Sequence, residues 1–160
     1  MNIHIVHQED WQKFRDIRLY GLKNDPQAFV GDFSEILKRT ELDWWSRLKG
    51  IDSFFFAAEE NSIFVSIAGA KRTSDTKWML IAVHTLKANR GTGLAQQVID
   101  KVFEELRKRG VMTVELIVNT DQKDAVHIYE KLGFRTIKIL DGELMGDGKL
   151  HEGYSMEKML

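Results

Sequence analysis

The stretch "ANRGTGLAQQ", residues 88–97, decides how the rest of the chain is read. An arginine and two glycines, separated by one residue, stand directly ahead of a run of apolar residues at helical spacing: Leu94, Ala95, Val98, Ile99, Val102, Phe103 and Leu106, closed by Gly110. Directly before the turn lies "KWMLIAVHTL" (77–86), apolar and rich in branched residues, the composition of a central strand. At the start of a helix the first backbone N–H groups lack partners, and the dipole adds roughly half a positive charge. Glycines there keep side chains out of the way of an anion, and Arg90 adds a cation. Taken alone, the turn serves equally well as a tight connection or as a phosphate site.

Two standard phosphate loops do not fit. No Gly-Lys-Ser/Thr follows, and a dinucleotide fingerprint needs three glycines and an acidic residue about 20 positions on, beyond a strand. Only two glycines are present, and Glu115 falls inside its strand.

Working outward, "NIHIV" (2–6) reads as a strand, and Asp10 as the cap of a helix carrying Trp11, Phe14, Ile17 and Leu22. Pro26 in "KNDPQAF" breaks that helix. Helical pieces follow from about Ser34 and Thr40, the second holding Trp44, Trp45 and Leu48. Adjacent tryptophans point apart on a helix, so one belongs to the core and the other to an acceptor site or a dimer contact. "SFFFAAEE" (53–60) and "SIFVSIAGAKR" (62–72) form a hairpin. "VMTVELIVN" (111–119), "DQKDAVHIYEKLG" (121–133), "FRTIKIL" (134–140) and "GYSMEKML" (153–160) read as strand, helix, strand and strand. The order predicts an α/β (α+β mixed-sheet) architecture with a parallel crossover around the glycine turn.

At 160 residues, without repeats or a linker, the chain is expected to be one domain over 1–160. Hydrophobic residues are 43% and charged residues 29%, and the formal charge is −1, so no nucleic-acid or membrane partner is expected. The absence of cysteine excludes disulfides, thiolate metal ligands and a cysteine nucleophile. With no signal-like start and no apolar run near ~18 residues, the expectation is a soluble, cytoplasmic protein. His4, His7, His127 and His151 show no metal-ligand spacing, so no metal is expected.

"RGTGLA" (90–95) resembles the Gln/Arg-x-x-Gly-x-Gly/Ala signature of the GCN5-related N-acetyltransferases, the GNAT superfamily. "AVHIYEKLGF" (125–134) resembles that family's Tyr-Glu-Lys-Leu-Gly-Phe segment at the usual distance. "FRDIRLYGLKNDPQAF" (14–29) is similar to a subgroup with an Arg-Leu helix and an Asp-Pro-x-Ala-Phe turn. The resemblance implies the GNAT-type acyl-CoA N-acyltransferase fold, a central mixed sheet flanked by helices. It implies acetyl-coenzyme A (acetyl-CoA) as cosubstrate and a small-molecule or protein amine as acceptor, reached by direct attack in a ternary complex. A homodimer is common in the family. A non-catalytic acyl-CoA-binding or sensing module on the same fold is the alternative.

By position, Arg90, Gly91, Thr92, Gly93, Leu94 and Ala95 would cradle the pyrophosphate, and backbone groups of His84, Thr85 and Leu86 would pair with the pantetheine arm. A backbone N–H there would also hold the thioester oxyanion. Tyr129 would be the general acid, protonating the departing thiolate. The family's asparagine before this helix is Gln122 here, with Asn119 at the strand end, and either is a candidate contact to the coenzyme. His84 is a candidate general base by its chemistry, as is Glu115 through water. Asp25, Asp32, Glu35, Glu143 and Glu152 either make an acidic mouth for a cationic amine or are ordinary solvated charges.

Overall fold

In the computed structural model, which describes residues 1–160, the elements follow the expected order. They are β1 (Asn2–Ile5), α1 (Trp11–Asn24), α2 (Phe33–Leu37), α3 (Glu41–Ser46), β2 (Ser53–Glu60) and β3 (Ile63–Arg72). Then come β4 (Trp78–Thr85), α4 (Leu94–Lys108), β5 (Thr113–Asn119), α5 (Lys123–Lys131), β6 (Arg135–Leu144) and β7 (Leu150–Met159). The strands form one seven-stranded sheet in the order β1-β2-β3-β4-β5-β7-β6. β4 and β5 run parallel, joined through α4, while the other neighbours are antiparallel.

Strand alternation sends neighbouring residues to opposite faces, and the sheet accordingly carries two cores. On one face, the Val98, Ile99, Val102, Phe103 and Leu106 stripe of α4 packs against Phe54, Leu80, Val114 and Leu116. On the other, Phe14, Ile17 and Leu22 of α1 pack with Trp44, Phe55 and Ile67. Trp44 is therefore the core tryptophan, and Trp45 faces outward at 39% exposure. The β2–β3 hairpin turns on Asn61 and Ser62, both left-handed, the conformation a two-residue turn needs to follow strand twist. Asp32 caps α2 through Ser34, and Thr40 and Asp43 cap α3 reciprocally. Asp10 precedes α1 as expected, but its carboxylate accepts from the His7 amide at 3.0 Å instead of capping the helix.

Two irregularities in β4 shape everything that follows. Ala82 has φ +57, and the pairing with β3 jumps from Gly69↔Ile81 to Ile67↔His84. Two residues of β4 thus oppose one of β3, a bulge that bends the strand. Pairing with β5 occurs only at Trp78↔Val114 and Met79↔Glu115, whereas β5 keeps β7 for all of Thr113–Asn119. Beyond Met79 the two central strands part and leave a wedge in the middle of the sheet.

Candidate active site

The wedge opens into a cavity of about 400 Å³. Met79 to Val83 of β4, Leu116 and Ile117 of β5, and Tyr129 of α5 form its inner wall. Because the Leu86 amide donates to the Val65 carbonyl at 2.9 Å, Leu86 is turned toward β3. Alternation then puts the amide of His84 on that same side and those of Val83 and Thr85 on the wedge side. Of the three positions expected to pair with the pantetheine, Thr85 alone presents its amide to the gap. The cavity lies further upstream, along Met79 to Val83, and the bulge at Ala82 is what re-aims that edge. Sequence reasoning missed these residues because an alanine carries no signal for a left-handed backbone.

At the far end of the wedge lies the glycine turn. Gly91 and Gly93 both have φ +76, a region that disfavours side chains, and Gly93 occupies the cap position of α4 with no side-chain cap. The six amides from Gly91 to Gln96 donate to no backbone carbonyl, so the loop and first turn present a row of free N–H groups. That row fits a pyrophosphate. Arg90 does not point there. Its Nε donates to the Thr85 carbonyl at 3.0 Å and its Nη2 to Asp25 at 2.7 Å, so it ties the turn to the end of α1. Thr92 bonds the Asn89 carbonyl through its hydroxyl, while Leu94 is buried beneath α4 and Ala95 half-buried.

Tyr129 lies on the wall of the cavity, opposite β4. Its ring packs edge-on against Phe134 at 5.9 Å, and burial alone pushes the phenol up to about 12. The hydroxyl is thus protonated at any ordinary pH.

The remaining candidates move away from the chemistry. His84 does not line the cavity; it is buried against α1, beside the rings of Tyr20 and Phe29 and against Gly21, where a Cβ would meet its Cγ at 3.1 Å. Its Nε2 is buried without a partner, and burial, helped by Arg90 and Arg18, lowers its pKa to about 4. A ring outside the cavity and so weakly basic is not placed to take a proton from an ammonium, which corrects the general-base expectation. Glu115 sits 3.7 Å from Lys77 and does not reach the cavity. Asn119 is buried, donating to the Gln27 carbonyl at 3.1 Å and accepting the Asp121 amide at 2.9 Å, so its side chain ties β5 to the turn after α1. Gln122 caps α5 by position without a side-chain cap bond, which leaves its amide group free for a ligand.

The mouth is not acidic. Asp32 and Glu35 alone among the five expected carboxylates reach the cavity, and they are held by Ser34 and Lys38 respectively. Asp25 belongs to Arg90. Arg18, Arg39, Arg47 and Lys71 line the same wall.

Comparison with known proteins settles the family. The sequence profile of the Acetyltransferase (GNAT) family matches residues 9–134, well over half of the chain. The chain belongs to the GNAT acetyltransferase family. Among GNAT relatives, an uncharacterized N-acetyltransferase of Methanocaldococcus jannaschii is 23% identical over 156 residues, spanning 80% of this chain and 66% of the relative's length. Among solved GNAT structures, that of YncA from Salmonella typhimurium, a putative acetyltransferase with its cofactor acetyl-CoA, superposes with a TM-score of 0.81 at 17% identity. It covers 100% of this chain and 94% of that one. The PaiA N-acetyltransferase from Thermoplasma acidophilum, in complex with coenzyme A, superposes at 0.74 with 15% identity and full coverage of both chains. The seven-stranded sheet with its flanking helices is therefore the GNAT acyl-CoA N-acyltransferase fold.

Proposed function

We propose that this protein transfers an acetyl group from acetyl-CoA to a primary amine, within a ternary complex and without a covalent enzyme intermediate. One observation carries the reading: the strand whose residues Met79 to Val83 line a cavity with an unengaged, protonated tyrosine on its wall runs directly into a turn whose amides are free. The acetyl-CoA and coenzyme A held by the Salmonella and Thermoplasma proteins support it.

Acetyl-CoA would supply the activated acyl group. The Gly91–Gln96 amides would hold its pyrophosphate, and the Val83 and Thr85 amides its pantetheine arm and thioester carbonyl. The amine nitrogen bonds to the carbonyl carbon, the C–S bond breaks, the Tyr129 proton passes to the sulfur, and the proton that the new amide nitrogen sheds passes through water to restore the Tyr129 phenol. Desolvation that raises the phenol's pKa would raise the thiolate's as well, which favours its taking the Tyr129 proton. The ammonium proton is lost to water before attack, since His84 is not in position. Positioning then carries most of the rate.

The test is Tyr129→Phe. A thiol-release assay should show kcat down by about 10²-fold, as for loss of a general acid, with acetyl-CoA affinity unchanged. Unchanged turnover would remove Tyr129 from the mechanism. Binding of acetyl-CoA with no turnover in wild type would favour a sensor.

A further inference from the structure

Three arginines line the outer half of the cavity, each from a different part of the chain: Arg18 from α1, Arg39 from the α2–α3 turn, and Arg47 just after α3. None forms an ion pair; every carboxylate within salt-bridge distance of an arginine elsewhere belongs to Arg15, Arg72, Arg90, Arg109 or Arg135. The Nη1 atoms of Arg18 and Arg39 are buried with no hydrogen-bond partner at all. Burial, together with Arg47 and Arg39, lowers the pKa of Arg18 to about 10, and burial and Arg47 bring Arg39 to about 10 against the opposing pull of Asp43. Arg47 is lowered by burial as well.

The acids nearby do not neutralise the group. Asp43 is felt by Arg39 and Arg47, but its carboxylate accepts the Thr40 amide at 2.8 Å to cap α3. Asp32 and Glu35 are engaged by Ser34 and Lys38. Beneath the cluster, Arg18 lies over Phe29 at 5.4 Å and Arg39 over Trp44 at 5.2 Å, cation–π contacts that help hold both guanidinium groups in place. Lys71 adds a fourth cation at the rim.

The three side chains are half-buried, and buried guanidinium nitrogens without partners, such as the Nη1 atoms of Arg18 and Arg39, are costly; folded proteins rarely keep them unless something else supplies the acceptors. We infer that Arg18, Arg39 and Arg47 receive an anionic group of the acceptor, so the amine that is acetylated belongs to a small molecule that also carries a carboxylate or a phosphate. This rests on the acetyltransferase reading and names its substrate class. A planar fork of donors suits either anion, and a cavity of about 400 Å³ holds a molecule of amino-acid size with room for the acyl thioester. The same charges repel a polyamine.

Matched acceptors test this in wild-type protein: lysine against cadaverine, and O-phosphoethanolamine against ethanolamine. At least one anionic member should exceed its partner in kcat/KM by about 10- to 100-fold, and which pair shows the larger ratio tells carboxylate from phosphate. Arg39→Gln and Arg47→Gln should each raise KM for that acceptor by about tenfold or more and leave KM for acetyl-CoA unchanged. Equal or better use of cadaverine and ethanolamine, or variants with unchanged acceptor KM, would overturn the inference. Thermal unfolding with inorganic phosphate or glutarate, in the absence of acetyl-CoA, separates it from the reading beneath. Stabilisation of wild type that Arg39→Gln abolishes supports the anion site even if acetyl-CoA does not bind. Stabilisation by acetyl-CoA but by neither anion overturns the inference while the acetyltransferase reading stands.

Discussion

Tyr129 and His84 show how position alone sorts two titratable side chains. Both lose water on folding, yet desolvation raises an acid and lowers a base. For the general acid proposed at Tyr129 the protonated form would be the active one, and it persists until the pH nears 12. Turnover should therefore show no loss from ionisation of Tyr129 up to about pH 10, where a solvated phenol would already be half ionised, and the change below that pH should be the rise as the acceptor ammonium deprotonates. A pH–kcat profile checks this, and a fall centred at 10 that Tyr129→Phe removes would contradict it. His84 drops from 6.5 to about 4, so the fold favours its neutral form. Between those values the unfolded chain takes a proton that the folded one refuses. Stability is complete above pH 6.5 and lost toward pH 4, by about 3 kcal/mol from this residue. Unfolding midpoints across that range should fall less steeply in His84→Leu, which also leaves no unpartnered Nε2 behind. If wild type and variant run parallel, the ring is not the neutral, buried group described.

At the scale of elements, the site is a consequence of β4 and the turn that follows it. The apolar run 77–86 and the periodic helix after it were legible from residue type, because burial on both faces and on one stripe leave different patterns. The bulge was not, since Ala82 looks like any other alanine. Nor was the wedge, because where β4 leaves β5 is a matter of register between distant segments. The glycines were legible, and the structure sharpens why they are there. A Cβ at Gly91 or Gly93 meets no atom within 4 Å, so the protein itself leaves room, and the left-handed backbone is the further reason for glycine. Gly93→Ala should accordingly cost about 1 kcal/mol in unfolding free energy, from strain at positive φ, and weaken acetyl-CoA binding by re-aiming the α4 amides. Wild-type stability and binding would show that the turn tolerates a side chain and that its amides are not a cradle. Gly21 is the complementary case in α1: the helix approaches the sheet so closely that His84 and Phe29 stand 3.1 Å from its absent Cβ.

Across the whole molecule, local patterns foretold the chain order and singled out the glycine turn, and long-range convergence determined which side chains line the cavity. Arg18 lay in a stretch quoted for its family resemblance, yet nothing at 18, 39 or 47 taken singly distinguishes those arginines from solvated surface charge. Only the packing of α1, α2 and α3 over the sheet brings them to one wall and leaves the five expected carboxylates elsewhere or engaged. The mouth thereby changes sign from the acidic alternative, and with it the class of amine expected. All of this depends on acetyl-CoA lying in the wedge between β4 and β5. Thermal unfolding titrated with acetyl-CoA tests that most directly. The account predicts a midpoint that climbs with ligand concentration, reaching about 2.7 kcal/mol of added stability at 100-fold over Kd. A midpoint that stays fixed to millimolar acetyl-CoA would contradict it.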